Sequence, residues 1–349
     1  MPSLESVLDA HTREGELYER LDRGRVRCLA CAHRCVILPG VRGICKVRLN
    51  RGGVLQVPAG YVSSLNPDPV EKKPLYHVLP GATALTFGML GCNLHCGFCQ
   101  NWDISQALRD AEADGRLAEI TAEEIVRTAR RSGSQLVVSS YNEPLITAEW
   151  AAEVFRLAKA EGLKTAFVSN GYASPEVLEY LRPVLDCYKV DLKAMSDRTY
   201  RQLGARLQPV LDAIRKAVEL GYWVEVVTLV VPGMNDSTEE LRAAAEFLVS
   251  VSPDVPWHVT AFHPDYRLLD ASRTPVTTLL RAAEIGRAVG LRYVYAGNLP
   301  GVVGHWEDTA CPNCGAILVA RRGFYAVRGC RVTSGLCPDC ATPIPGIWS

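Results

Sequence analysis

The chain has 349 residues, 48% of them apolar, and its 38 basic side chains balance 38 acidic ones. That length and composition allow one large core with smaller attachments. Zero net charge argues against long-range attraction to nucleic acid or an anionic membrane, and no apolar run reaches the roughly 18 residues of a spanning helix.

The opening stretch, "MPSLESVLDAHTREGELYERL", is polar and mixed in charge, unlike an export signal, so a cytoplasmic protein is expected. The thirteen cysteines are grouped: four in 28–45, three in 92–99, five in 311–340, and Cys187 alone. In a long chain without an export signal, such grouping reads as metal binding rather than disulfides. Cys187, on an apolar run, reads as a buried hydrophobe.

Residues 1–78 form an expected N-terminal cysteine-rich module. Cys28, Cys31, Cys35 and Cys45 are spaced C-x2-C-x3-C-x9-C. The spacing is compatible with structural zinc, with His33 as a substitute ligand, and with a second iron–sulfur cluster. Zinc is the commoner occupant of short four-cysteine sites, and ferredoxin runs keep tighter spacing before their last cysteine. The segment "NPDPVEKKPLYHVLPG" (66–81) carries four prolines and reads as a connector, with Lys72 and Lys73 as a solvated pair.

Between 79 and 300 apolar runs alternate with amphipathic segments. The runs lie at 84–90, 135–141, 164–171, 187–194, 222–233, 256–264 and 291–298. Several helical segments open on Ser or Thr with Glu nearby and close on Gly, as caps require. This alternation implies an α/β fold with a parallel sheet, here a partial (β/α)6-type TIM barrel.

Working residues in such folds sit at the C-terminal ends of strands. There the sequence offers Cys92, Cys96 and Cys99 in "GCNLHCGFCQNW", Asn142 and Glu143 in "YNEP", Ser169 and Asn170 in "SNGY", Asp191 and Lys193 in "KVDLK", and His263 in "FHP". Three thiolates on one loop can hold three corners of a [4Fe–4S] cube and leave the fourth iron to a small molecule. An amine–carboxylate chelator suits that iron. Glu143 can accept hydrogen bonds from its nitrogen, Lys193 can pair with a carboxylate, Asp191, Asn170 and Ser169 can hold ribose hydroxyls, and Phe98 offers a face to adenine. Plainer roles stand beside these. The three cysteines could be a zinc knuckle completed by His95 or His77. Glu143 could be a helix-start carboxylate, Asp191 and Lys193 a strand-end ion pair, Phe98 simple packing and His263 a satisfied structural histidine.

The loop C-x3-C-x2-C, with an aromatic residue before its last cysteine, resembles the signature of the radical S-adenosylmethionine (SAM) enzymes. "YNEP" looks like that family's Gly-Gly-Glu-Pro motif, with Tyr141 and Asn142 in place of the glycines. The residues on the third and fourth strands, with His263, resemble those of the pyruvate formate-lyase activating enzyme group. The strings "DPVEKKPLYHVLPG", "GCNLHCGFCQNWDISQ", "GNLPG" and "CPNCG…CPDC…IPGIW" look like the radical SAM member of the AmmeMemoRadiSam system. The resemblance implies a [4Fe–4S] cluster, SAM, and reductive cleavage of SAM to a 5′-deoxyadenosyl radical that abstracts hydrogen from a protein or peptide. It further implies Memo-like and AMMECR-type companions and a low-potential donor such as flavodoxin or ferredoxin. A glycyl-radical activating enzyme is the alternative within the class. A zinc-ribbon adaptor or nucleic-acid-binding protein with an inactive barrel is the alternative outside it, and the neutral charge argues against nucleic acid.

Residues 301–349 return to turns. Cys311, Cys314, Cys337 and Cys340 form two C-x2-C knuckles, expected to bind zinc in a ribbon-like module. Its small core needs such a staple. Cys330 has no partner at a matching spacing.

Overall fold

The structure, a computed structural model, describes residues 3–113 and 115–349. Its central sheet is built from β1 (Ser64–Pro69), β2 (Thr83–Gly88), β3 (Leu136–Ser139), β4 (Lys164–Ser169), β5 (Cys187–Asp191), β6 (Trp223–Val230), β7 (Trp257–Ala261) and β8 (Val294–Gly297). Six of the seven apolar runs enclose one of the strands β3 to β8, and the run at 84–90 overlaps β2, which starts one residue earlier. The strands lie side by side in chain order, parallel from β2 to β8, with β1 antiparallel to β2 at the edge. Strands such as β3, buried at every residue, read as unbroken apolar runs because both faces are covered.

The proline-rich segment expected as a connector therefore begins as a strand. Pro67 and Pro69 sit opposite Leu85 and Thr83 on the outermost strand, where a missing N–H costs the ladder least. This strand lies within residues 1–78 and belongs to the central sheet.

Helices fill the crossovers. They are α1 (Ala122–Arg131), α2 (Ala148–Ala160), α3 (Pro175–Leu181), α4 (Leu207–Glu219), α5 (Thr238–Val251) and α6 (Val276–Val289), with a short helix at Asp197–Gln202. Thr121 and Glu124 close a reciprocal capping box on α1, Ser174 and Ser237 cap α3 and α5, and Gly290 ends α6 in the left-handed region at φ 118°. Among the described residues no helix is long and apolar enough to cross a membrane.

Two small antiparallel sheets precede the central one. The first pairs Thr12–Glu14, Val54–Pro58 and Leu49–Arg51; the second pairs Tyr18–Arg20, Val26–Cys28 and Val36–Ile37. They are tied to α2 by a fully buried ion pair, Arg48 Nη2 to Glu149 Oε1 at 2.5 Å and Nη1 to Oε2 at 2.9 Å.

At the C-terminus, Thr309–Ala310 pairs with a hairpin of β9 (Ile317–Arg322) and β10 (Ala326–Cys330). The last residues return to the core: Ile347 N–H donates to His77 O at 2.7 Å, and Leu79 N–H donates to Ile347 O at 2.8 Å. Below lies a buried polar network. Glu225 accepts from the Tyr76 and His77 backbone N–H groups, from Trp223 Nε1 and from His258, all within 3.0 Å. Arg321 donates to Thr309 Oγ1 and Tyr76 O, each at 2.7 Å.

Candidate active site

Parallel strands direct their C-terminal loops to one side, and a cavity of about 390 Å³ opens there. Cys92, Cys96, Phe98 and Cys99 line it from the loop after β2, Asn142 and Glu143 from the turn after β3, Ser169 and Asn170 from the end of β4, and Asp191 and Lys193 from β5. His263 stands outside this lining. It is exposed, and its Nε2 lies 2.9 Å from the Nε2 of Gln100, which does line the cavity.

The loop carrying Cys92, Cys96 and Cys99 is held by polar contacts. Leu94 N–H donates to Cys92 Sγ at 3.4 Å, and Cys99 Sγ lies 3.2 Å from Ser105 Oγ. Burial pushes the Cys92 thiol well above its ordinary value and the Cys96 thiol up to about 11. An incoming cation must therefore displace the protons.

Glu143 is buried and triply bonded. Its Oε1 accepts from Leu145 N–H at 3.1 Å and Ser169 Oγ at 2.8 Å, and its Oε2 accepts from Asn170 N–H at 2.8 Å. Burial raises it to about 7 despite these donors. The carboxylate thus caps the turn Pro144–Thr147 and also faces the cavity, so both of its sequence readings have a geometric basis. A carboxylate offers about four lone-pair sites, which leaves room for one more donor.

Asp191 lies between two lysines, bonded to Lys189 and 3.3 Å from Lys193 Nζ. Burial opposes its charge, yet the two ammonium groups hold it at about 2. The Asp191–Lys193 pair is thus a real strand-end ion pair that also lines the cavity. Lys189 was not singled out from the sequence. Its alternation with Asp191 and Lys193 is the signal that finds it, because residues two apart share a strand face.

Lys73 is 3% exposed, contrary to the expected solvated pair; the Lys72 side chain remains 43% exposed. Lys73 Nζ lies 2.6 Å from Asp68 Oδ2 and 3.4 Å from the Tyr141 hydroxyl, and Tyr141 donates to the same Asp68 oxygen at 2.6 Å. Burial lowers Lys73 to about 8. Lys72, Lys73 and Tyr141 all line the cavity. Tyr141, which occupies a glycine position of the resembled motif, has φ 70°, a conformation glycine adopts without strain.

The terminal hairpin contributes as well. Phe324, at its tip, lines the cavity beside Asn298 of the "GNLPG" turn. The buried Glu307 carboxylate joins these two loops, accepting from Gly301 N–H at 2.9 Å and Gly323 N–H at 2.6 Å.

Among the described residues, one group of metal-ligating side chains has all its ligand atoms within 4.8 Å of one another: Cys311, Cys314, Cys337 and Cys340. Its sulfurs pair at 3.6 Å (Cys311 with Cys340) and 3.7 Å (Cys314 with Cys337). Cys187 is buried at 0% exposure, as a hydrophobe would be.

Residues 87–248, from the end of β2 through the loop of Cys92, Cys96 and Cys99 to α5, match the model of the radical SAM superfamily. The chain belongs to the radical SAM superfamily. An uncharacterized protein of Methanocaldococcus jannaschii is 41% identical over 316 residues, which is 90% of this chain and 93% of that one, so the two form one family. The pyruvate formate-lyase-activating enzyme of Clostridium pasteurianum is 28% identical over 210 residues, 55% of this chain and 84% of its own. A solved radical SAM methyltransferase from Sphaerobacter thermophilus shares 17% identity over 85% of this chain and 82% of its own, with a TM-score of 0.49, a likeness too loose to argue from. This radical SAM enzyme is thus related to activating enzymes of pyruvate formate-lyase, and its family implies a [4Fe–4S] cluster and SAM. An adaptor with an inactive barrel is set aside.

Proposed function

We propose that this radical SAM enzyme cleaves SAM reductively and removes a hydrogen atom from a protein or peptide. One observation carries the reading. Cys92, Cys96 and Cys99 share a single cavity with Glu143, and that cavity's lining holds these three cysteines and no histidine among the described residues. The donor set suits a cube with one iron left to a non-protein ligand. When bound, the cluster supplies a low-potential electron and SAM supplies the sulfonium that accepts it and releases a 5′-deoxyadenosyl radical.

The chain's own groups bind and orient. Glu143 accepts from the methionine nitrogen, with Asn142 beside it. Lys193 faces the carboxylate, Ser169, Asn170 and Asp191 face the ribose, and Phe98 faces the adenine. His263 joins them through Gln100. The wall formed by Lys73, Tyr141 and Phe324 is left for the substrate and shields it from water.

The wider reading follows the notable strings of the chain. It is a cytoplasmic member of the AmmeMemoRadiSam system, with Memo-like and AMMECR-type partners and flavodoxin or ferredoxin as donor. It is built as residues 1–78, whose strand β1 joins the central sheet, a partial-barrel core at 79–300 and a zinc-ribbon module at 301–349. The sequential order of strands β2 to β8 supports the partial barrel, and the sulfur pairs at 3.6 and 3.7 Å support zinc at the terminal site. The similarity to pyruvate formate-lyase-activating enzymes favours a second reading, activation of a glycyl-radical partner.

Co-incubation of reduced enzyme, SAM and each candidate partner tests these readings by mass spectrometry. Formation of 5′-deoxyadenosine with a mass change in one partner is expected; absence of 5′-deoxyadenosine under every reductant sinks the proposal. A glycyl radical signal in a partner selects the second reading.

A further inference from the structure

We propose that Cys28, Cys31, Cys35 and Cys45 ligate a second [4Fe–4S] cluster, held entirely by protein and adjoining the first. The inference extends the radical SAM reading by giving the N-terminal module a redox role.

The four thiols lie in one neighbourhood of the N-terminal module. Cys28 ends the strand Val26–Cys28, and its N–H donates to Cys35 O at 2.9 Å across the knuckle that holds Cys31. The loop carrying Cys45 folds against them, so that a Cβ on Gly43 would stand 3.8 Å from Cys35 Sγ. Each thiol lies within electrostatic reach of another: Cys28 of Cys45, Cys31 of Cys28 and Cys45, Cys35 of Cys28.

Their spread differs from that of the terminal cysteines. The terminal four gather within 4.8 Å, as one ion requires, and among the described residues they alone do so. The N-terminal four are more open, as are Cys92, Cys96 and Cys99. A cubane binds each thiolate through a different iron, so its ligands stand farther apart than those of a single ion.

The buried donors with no hydrogen-bond partner among the described residues include Arg48 Nε and Asn93 Nδ2. Both belong to this site. The Arg48 charge lies within reach of Cys28 and Cys45, while its Nη atoms are taken by Glu149 and Ile146 O. The Asn93 side chain lies beside Cys31. Buried donors need acceptors, and the sulfurs of an iron–sulfur cluster accept N–H bonds.

The site also abuts the first cluster loop directly. Asn93 follows Cys92, and its carbonyl oxygen lies 2.9 Å from His33 Nε2. A Cβ on Gly91 would meet Cys45 O at 3.0 Å. One electron from a low-potential protein donor reduces the N-terminal cluster from the 2+ to the 1+ level. The same electron then passes to the cluster at Cys92, Cys96 and Cys99 and returns the first to 2+.

The test uses full-length protein, purified anaerobically and reconstituted with iron-57 and sulfide. Mössbauer spectra and metal analysis are taken with and without SAM. About eight irons per chain are expected, of which SAM perturbs about one. About four irons, one of them perturbed by SAM, with zinc at a second site, overturn the proposal. Eight irons of which none responds to SAM keep the second cluster and sink the proposed SAM site instead. The triple variant C92A/C96A/C99A should retain about four irons and a reduced paramagnetic signal. If it loses all iron while the terminal cysteines still hold their metal, the chain has folded and the proposal fails.

Discussion

The backbone N–H of Asn170 donates to Glu143 Oε2 at 2.8 Å, so the end of β4 fixes the carboxylate that follows β3. Glu143→Gln keeps the shape but removes the charge. Losing one partner of a buried charged hydrogen bond costs about 2–5 kcal/mol. Weaker SAM binding by at least about tenfold is expected, with cluster content unchanged. Anaerobic calorimetric titration checks it, and wild-type affinity would leave Glu143 only its capping role. Because burial raises the carboxyl to about 7, wild-type affinity should fall as pH drops through that value, and the glutamine variant should lose this dependence.

Cys96→Ala removes one of the three thiolates proposed to hold the cluster, and that reading leaves none spare. SAM-dependent 5′-deoxyadenosine should vanish, and iron should drop by about four per chain. Chromatography of the reaction and iron analysis read both; a variant that still turns over SAM contradicts the ligand set.

Cys337→Ser breaks the closely gathered terminal site. Metal should be lost there while the visible absorbance of the central cluster persists. Zinc analysis alongside the absorbance spectrum decides. Retained zinc with a lost cluster would mean the two sites have been exchanged.

Glu149→Ala leaves the buried Arg48 without its partner. Such a break costs about 3–5 kcal/mol. Urea unfolding should shift accordingly, and a change below about 1 kcal/mol would show that the pair lies in effectively solvated surroundings.

His77 is completely buried, with its Nδ1 2.7 Å from Pro345 O and its Nε2 2.6 Å from the Tyr295 hydroxyl. Burial lowers it to about 4, although Glu225 pulls the other way; Arg321 and His258 reinforce the drop. The folded form therefore binds the proton less readily than the unfolded chain. Its stability contribution is complete above about pH 6.5 and is lost as pH falls toward 4, on the order of 2 kcal/mol by pH 5. Urea melts at pH 8 and pH 5 should show a smaller acid loss in His77→Gln than in wild type. An equal loss would assign the acid sensitivity to other groups.

Much of the fold was legible because both faces of the central strands are covered and their runs stay apolar. Strand ends also pointed to the cavity, since parallel strands send their loops to one side. Lys73 was not legible. Its burial depends on β1 folding back so that Asp68 and Tyr141 meet the ammonium. Phe324 was equally hidden, for nothing local tells that a terminal hairpin reaches the cavity. His263 shows the opposite limit, because the end of β7 was visible but the outward turn of its ring toward Gln100 was not.

The Glu307 carboxylate has a consequence for physiology. It fastens the tip of the terminal hairpin to the loop after β8, and at the base of that hairpin Ala316 O accepts from the N–H of Cys311, one of the four gathered cysteines. A metal held by those four cysteines would brace the wall presented by Phe324 from below. Loss of such a metal would slacken that rim while the loop at Cys92, Cys96 and Cys99 kept its place. Metal supply to the terminal cysteines would then bear on how substrate is held, apart from the chemistry of the central loop.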